Sequence, residues 1–166
     1  MFEIGEYIVY GSKGVCQVED ISQVDIPGAS KDRLYYVLRQ LENGSGKIYV
    51  PTDNDKVVMR KVITREAAEE LIQQMPEIEQ MWVDNDKQRE AMYKEAIRTC
   101  DYNEWVRMIK TLYFRKKERT AQGKKVTALD EKYLKAAENE LYSELSLTLG
   151  IPKTEVLAYI KERIEM

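Results

Sequence analysis

The stretch that decides the fold of this chain is YNEWVRMIKTLYFRKKERTAQGKK, residues 102–125. From position 107 onward it contains eight Lys or Arg residues and the single acid Glu118, a local charge of +7 in a chain whose net charge is −3. Clustered positive charge indicates a polyanion partner, most often the phosphates of nucleic acid. Charge runs also form solvated helix faces, so charge alone leaves both interpretations open.

The apolar residues of this stretch recur every three or four positions, which is typical of a helix with one buried face. Asp101 followed by Glu104 has the spacing of an N-terminal cap, and Gly123 supplies an end. Phe114 falls on the outer side, where it either packs on a neighbouring helix or offers a stacking surface to a partner. The predicted core stripe consists of Tyr102, Trp105, Val106, Ile109, Leu112 and Tyr113.

The overall composition argues against an enzyme and against a metal or cofactor site. The 166 residues, of which 43% are hydrophobic, are enough for one domain or two small ones. Histidine, the usual general base and metal ligand, is absent from the sequence. Cys16 and Cys100 form no pattern of ligands or disulfides and are expected to be buried. We therefore expect no catalysis, no cofactor and no small-molecule substrate.

The first residues, MFEIGEYIVY, lack the basic start and the long apolar run of a signal sequence. No stretch of the sequence is apolar over the length needed to span a membrane. These features predict a cytoplasmic protein without a membrane contact.

Residues 1–62 have the pattern of a small antiparallel β domain. Short β-prone segments are separated by glycine-containing turns, and the fourth segment ends at Pro51. Five short strands in this length predict a strongly bent sheet or a barrel that is too small to enclose a cofactor. Its working surface would therefore be an exposed edge or a face, as in a docking module.

From Thr64 to the end of the chain the hydrophobic period is helical, so the predicted domain boundary lies between residues 62 and 63. About five helices are expected, which gives an α+β fold with an all-α second domain. The helix that opens at Thr127 and ends before Gly150 repeats apolar residues every four positions and is the predicted spine of this domain. Trp82 lies in a connection flanked by acids, where it either plugs the bundle or points outward.

Three segments together resemble the CarD/CdnL family of bacterial transcription regulators. They are FEIGEYIVYGSKGVCQVEDI (residues 2–21), LYFRKKER (112–119) and DEKYLKAAENELYSEL (130–145). The resemblance covers essentially the whole chain. A module related to the first segment also occurs in transcription-repair coupling factors, whereas the helical segments indicate the stand-alone regulators.

The resemblance implies a Tudor-like β-barrel domain at residues 1–62 that binds the β subunit of bacterial RNA polymerase. It also implies a helical domain at 63–166 that contacts promoter DNA at the upstream edge of the bubble and stabilises the open complex, without catalysis. In such proteins a tryptophan near the start of the helical domain acts as a minor-groove wedge. Trp82 is the residue that takes this role here, about one helical turn farther from the next helix than in better-known members.

The other predicted DNA-binding residues are basic, because phosphate contacts need positive charge at the right distance rather than one fixed geometry. They are Arg89, Arg107, Lys110, Arg115, Lys116, Lys117, Arg119, Lys124 and Lys125. Binding to promoter DNA is expected to be largely independent of sequence.

For the polymerase contact the resemblance implies an edge-to-edge pairing of strands with the partner's sheet. The residues that take this role by resemblance are Val24, Ile26, Tyr49, Val50 and Pro51.

Two other classes of function compete with a transcription regulator. An RNA- or ribosome-associated adaptor would also join a small β module to a basic helical module, and it predicts binding to structured RNA without polymerase. An enzyme using the paired carboxylates Asp84 and Asp86 would need a pocket and a nucleophile or metal ligand beside them.

Overall fold

The structure divides the chain into two compact units, Met1–Val62 and Ile63–Met166. It is a computed structural model that describes residues 1–23, 33–42, 46–81 and 85–164, apart from the side chain of Ser12. The predicted α+β class is confirmed, since an antiparallel sheet is followed by helices. Three predicted site residues, Val24, Ile26 and Trp82, lie outside the described residues.

The N-terminal unit contains one antiparallel sheet with the strand order β4-β3-β2-β1-β5. Its strands are β1 (Tyr7–Tyr10), β2 (Gly14–Gln23), β3 (Leu34–Gln40), β4 (Lys47–Pro51) and β5 (Met59–Lys61). Strands β4 and β5 are therefore the outer strands of this order. The register of β2 against β3 shifts between Val18 and Asp20, as at a β-bulge, which increases local twist.

Alternating side chains of these strands form the core of the sheet, as the period of two requires. Its fully or nearly fully buried members are Ile8, Cys16, Val18, Tyr36, Leu38 and Val50. Phe2 packs against this core from the start of the chain. Its backbone N–H donates to the Tyr36 hydroxyl at 3.1 Å. The prediction that Cys16 is buried is confirmed.

The turn between β1 and β2 depends on Gly11. Its φ of +43° lies in the left-handed region, and its N–H donates to the Val58 carbonyl at 2.9 Å. A Cβ at this position would come within 2.5 Å of Val57 Cγ1. Glycine is therefore required here both by backbone conformation and by the close approach of the chain that leads into β5.

The C-terminal unit is helical. Its helices in the described residues are α1 (Arg65–Gln74), α2 (Asp86–Arg98), α3 (Tyr102–Ala121), α4 (Ala128–Leu149) and α5 (Val156–Arg163). A 3₁₀ turn, Met75–Glu77, follows α1 at Pro76. The side chains of Thr64, Asn85, Asp101 and Thr127 accept hydrogen bonds from backbone N–H groups in the first turns of α1 to α4.

Helix α4 is the spine of this unit, as predicted, since it contacts α1, α2, α3 and α5. Its buried stripe includes Tyr133, Ala137, Leu141, Leu145 and Leu149. Gly150 ends the helix at a φ of +68°.

The predicted core stripe of α3 is correct in its first part and wrong at one position. Trp105, Val106, Ile109 and Leu112 are buried and Tyr102 is half-buried, whereas Tyr113 is 37% exposed. The reason is the length of the helix, whose C-terminal half continues beyond the buried stripe. Apolar spacing therefore marks the correct face of α3 but not the point at which burial stops.

Candidate functional site

The predicted DNA-binding residues on and after α3 are referred to here as the basic segment, residues 107–125. Most of this segment lies in the C-terminal part of α3, which is packed in the bundle at first and is exposed to solvent near its end. The first two cations, Arg107 and Lys110, lie where the helix is still packed, while Lys116 and Lys117 lie in its exposed part. The cations of the basic segment therefore differ in their burial and in the groups that they contact.

Arg107 and Lys110 bind groups within the protein. The Arg107 guanidinium pairs with the Glu104 carboxylate at 2.9 Å, and its Nε donates to the Glu79 carbonyl at 3.3 Å. Lys110 Nζ donates to the backbone carbonyls of Met75 at 2.8 Å and Pro76 at 3.2 Å, and it also donates to that of Ile78. Partial burial lowers the pKa of Lys110. These two cations attach α3 to the segment after α1.

Arg115 forms the most buried ion pair of the basic segment. Its Nε lies 2.9 Å from Asp130 Oδ2, and the Asp130 side chain is only 4% exposed. The spacing of Thr127 and Asp130 predicts a capping box. The Asp130 N–H does donate to the Thr127 hydroxyl at 3.1 Å, but its carboxylate pairs with Arg115. The pair joins the middle of α3 to the first turn of α4.

The loop after α3 folds back onto the end of the helix. Gly123 takes a φ of +75°, which is the left-handed region that favours glycine. The N–H of Lys124 then donates to the Arg119 carbonyl at 2.8 Å, and Arg119 Nε donates to the Lys125 carbonyl at 2.8 Å. The backbone of Lys124 and Lys125 is thus held beside the last turn of α3.

Four predicted residues remain as surface cations, and they are called the exposed lysines: Lys116, Lys117, Lys124 and Lys125. Among the residues that the structure describes, no ion pair with a carboxylate is found for these four. Lys161 of α5 lines the same surface depression as Lys116 and Lys117. The sequence reasoning missed Lys161, because it lies far along the chain in an amphipathic helix of mixed charge.

A second depression lies on another side of α3 and brings together Arg89, Lys110, Arg115 and Phe114. The Arg89 side chain is only 12% exposed, and its Nε lies 3.5 Å from Asp86 Oδ1. Phe114 is 47% exposed. Of the two alternatives for this phenylalanine, the structure favours an accessible ring over packing on a neighbouring helix.

The described residues on both sides of Trp82 are anchored. Met81 is 6% exposed, and its N–H donates to the Thr111 hydroxyl of α3 at 2.9 Å. Asn85 caps α2 by accepting a hydrogen bond from the Gln88 N–H at 2.9 Å. The residue before position 82 is therefore attached to α3, and the residue after position 84 is attached to the first turn of α2.

The predicted polymerase-binding residues that the structure describes all lie on the outer strand β4. Tyr49 is 40% exposed, Val50 is 2% exposed and belongs to the sheet core, and Pro51 is half-buried at the end of the strand. Tyr49 shares a depression with Glu19 and Asp20 of β2. The strand thus presents Tyr49 outward while Val50 holds the strand in place.

Comparison with known protein families identifies both halves of the chain. Residues 2–63 match the CarD-like/TRCF RID domain, and residues 70–161 match the CarD C-terminal domain. The chain belongs to the CarD family. No curated protein gives a significant match. As a CarD-family protein it is a transcription-associated regulator that interacts with RNA polymerase, and the domains of this family are non-enzymatic.

The part of the chain that the structure describes contains neither a metal site nor a membrane-spanning helix. It contains no group of three or more His, Cys, Asp or Glu residues placed to hold a metal ion. Within the same residues no helix is both long and apolar enough to cross a bilayer.

The ion pair of Arg115 generates a first prediction about stability. Arg115→Ala should lower the free energy of unfolding by about 3–5 kcal/mol, because it leaves the Asp130 carboxylate buried without a partner. Urea denaturation followed by far-UV circular dichroism measures this change. Lys116→Ala, one position along the same helix, is the matched control and should change stability by no more than about 0.5 kcal/mol. Equal effects of the two substitutions would contradict the structural role of Arg115.

Proposed function

We propose that this CarD-family protein binds the β subunit of bacterial RNA polymerase through its N-terminal unit. Its C-terminal unit contacts promoter DNA at the upstream edge of the transcription bubble and stabilises the open complex. The observation that carries the proposal is the group of exposed lysines at the end of α3, in a family whose members act on transcription. The protein then works in the cytoplasm, at the nucleoid.

The polymerase contact is proposed at the outer edge of β4. An outer strand presents backbone N–H and C=O groups on its free side, and a partner strand can add to the sheet by hydrogen-bonding to them. Tyr49 is exposed beside these groups and provides apolar contact area with a polar end. Val50 and Pro51 support this edge from the core and from the end of the strand, and Val24 and Ile26 complete the proposed surface.

The DNA contact is proposed at the basic segment and at Arg89 of α2, with different roles for these cations. The exposed lysines have their ammonium groups in solvent, so they are suited to contact phosphates directly. Arg89, Arg107, Lys110, Arg115 and Arg119 are engaged within the protein. Lys110 and Arg119 bind neutral carbonyls and so still add positive potential that attracts DNA, whereas the charges of the other three are largely offset by their carboxylate partners. Such binding depends little on base sequence.

Trp82 is proposed as the wedge that holds the upstream edge of the bubble open. An apolar side chain inserted at a base step in the minor groove opposes closure of the duplex. The anchored residues Met81 and Asn85 on either side provide the support that such a wedge needs. A preference of about 1.4 kcal/mol for the open state would change its population tenfold relative to the closed state.

The contact of β4 can be tested by a substitution with a matched control. Tyr49→Asp should abolish retention of the protein on immobilised β subunit, because it places an unpaired charge in the proposed strand interface. Tyr7→Asp is the control, since Tyr7 is 38% exposed on β1, which is paired on both sides. It should leave retention unchanged. Loss of retention in both variants, or in neither, would refute docking at the β4 edge.

Replacing all four exposed lysines by alanine should weaken binding to duplex DNA. The slope of log affinity against log salt should decrease by about 0.9 for each phosphate that the protein no longer neutralises. Fluorescence anisotropy over a series of salt concentrations measures both effects. Lys94→Ala, at a lysine of α2 that pairs with Glu90, is the control and should change neither. Preferential binding of the unaltered protein to structured RNA would instead favour an RNA-associated adaptor.

The wedge is tested by the lifetime of open promoter complexes after a competitor is added. Trp82→Ala should shorten this lifetime several-fold while retention on the β subunit stays unchanged. Trp82→Phe, which keeps an aromatic ring, should retain part of the effect. An unchanged lifetime in Trp82→Ala would show that Trp82 is not a wedge.

A further inference from the structure

The C-terminal unit contains an apolar cavity, partly open to solvent, to which the proposed transcription function assigns no ligand. Its volume is about 310 Å³, which is within the range of small-molecule sites, about 300–1,000 Å³. It lies between the 3₁₀ turn and helices α3, α4 and α5. The apolar side chains on its walls include Met75, Val106, Ile109, Leu141, Leu157 and Ile160.

The polar groups at the margin of this cavity bind one another. Lys110 Nζ donates to the Met75 and Pro76 carbonyls, so its stem faces the cavity while its ammonium is already occupied. The Tyr113 hydroxyl donates to Glu138 Oε2 at 3.2 Å. Tyr142 also lines the cavity. Burial raises the pKa of Tyr142, and a hydrogen bond with Tyr113 raises this pKa further.

These pairings determine what kind of molecule the cavity fits. A charged ligand would have to give up its hydration, and the three N–H donors of Lys110 are already used by the backbone carbonyls of residues 75, 76 and 78. An apolar ligand without a formal charge gives up no such hydration and replaces poorly favoured contact between water and apolar walls. Pockets with mainly apolar walls of this size are typical binding sites for small apolar molecules.

We propose that this cavity is a binding site for a neutral, mainly apolar small molecule of the size of two or three aromatic rings. The hydroxyls of Tyr113 and Tyr142 already donate within the protein, so they can offer a ligand only the remaining lone pairs of their oxygens. A ligand here touches α3, α4 and α5 at once and therefore stabilises their packing, because it binds the folded unit and not the unfolded chain. The site does not include the exposed lysines or the β4 edge.

The probe for the test is N-phenyl-1-naphthylamine, a neutral compound of three aromatic rings whose fluorescence rises when it leaves water. The expected result is saturable binding with one site per chain, together with a rise in the Tm of the helical unit. 8-Anilino-1-naphthalenesulfonate has the same ring system with an added sulfonate and is the matched charged probe. It should bind at least tenfold more weakly, and equal or tighter binding of the sulfonate would overturn the selectivity for neutral ligands.

Leu157→Trp places a larger side chain on the cavity wall and should reduce binding of the neutral probe at least tenfold. Leu147→Trp is the control, because Leu147 is a half-buried leucine of α4 that does not line the cavity. It should bind the probe like the unaltered chain. Equal binding by all three proteins would place the probe elsewhere and overturn the proposal.

Methyl NMR on the unaltered chain tests the location without a substitution that disturbs folding. With methionine methyl groups labelled, the Met75 signal should shift as the neutral probe is added, since Met75 lies on the cavity wall. Met59 on β5 belongs to the other unit and should not shift. Absence of a Met75 shift at saturating probe would refute binding in this cavity.

Discussion

The ion pair between Arg115 and Asp130 is the constraint on which the arrangement of the basic segment depends. Asp130 is almost fully buried in the first turn of α4, and removing its partner would leave a charge in a low-dielectric site. The pair therefore fixes the rotation of α3 about its own axis. Because successive residues of a helix are about 100° apart, this rotation directs Lys116 and Lys117 away from Asp130 and into solvent.

A consequence is that the charge of the basic segment is divided between two tasks. Arg107 and Lys110 donate to backbone carbonyls of the segment after α1, and Arg115 pairs with a carboxylate of α4, so that all three hold α3 against the rest of the helical unit. The exposed lysines are left for an external partner. The local charge of +7 counted along the sequence thus overstates the number of cations available to DNA. In this surface, the paired cations position α3, and α3 in turn positions the exposed lysines.

Sequence analysis predicted the elements of this fold well because the signals for them are local. The period of apolar residues identified the strands and helices, and Thr64, Asp101 and Thr127 marked helix starts through contacts two or three residues away. The roles of the cations were not predictable in the same way. Arg115 pairs with Asp130 fifteen residues later, and Lys110 reaches carbonyls 34 and 35 residues earlier. Lys161 joins Lys116 only through the packing of α5, which no spacing along the chain indicates.

The two proposed contacts differ in kind, and that difference explains how an acidic protein can act on DNA. Because the chain has a net charge of −3, its overall electrostatic interaction with DNA is repulsive. The exposed lysines by themselves therefore give only weak, salt-dependent binding, and the protein is not held on DNA in general. Strand addition at β4 uses directional backbone hydrogen bonds and is far more selective. Once β4 is docked, the lysines meet promoter DNA at an effective concentration set by the covalent link between the units, and weak contacts then suffice. On this view promoter specificity belongs to the polymerase, and the helical unit only needs to be basic on the correct face.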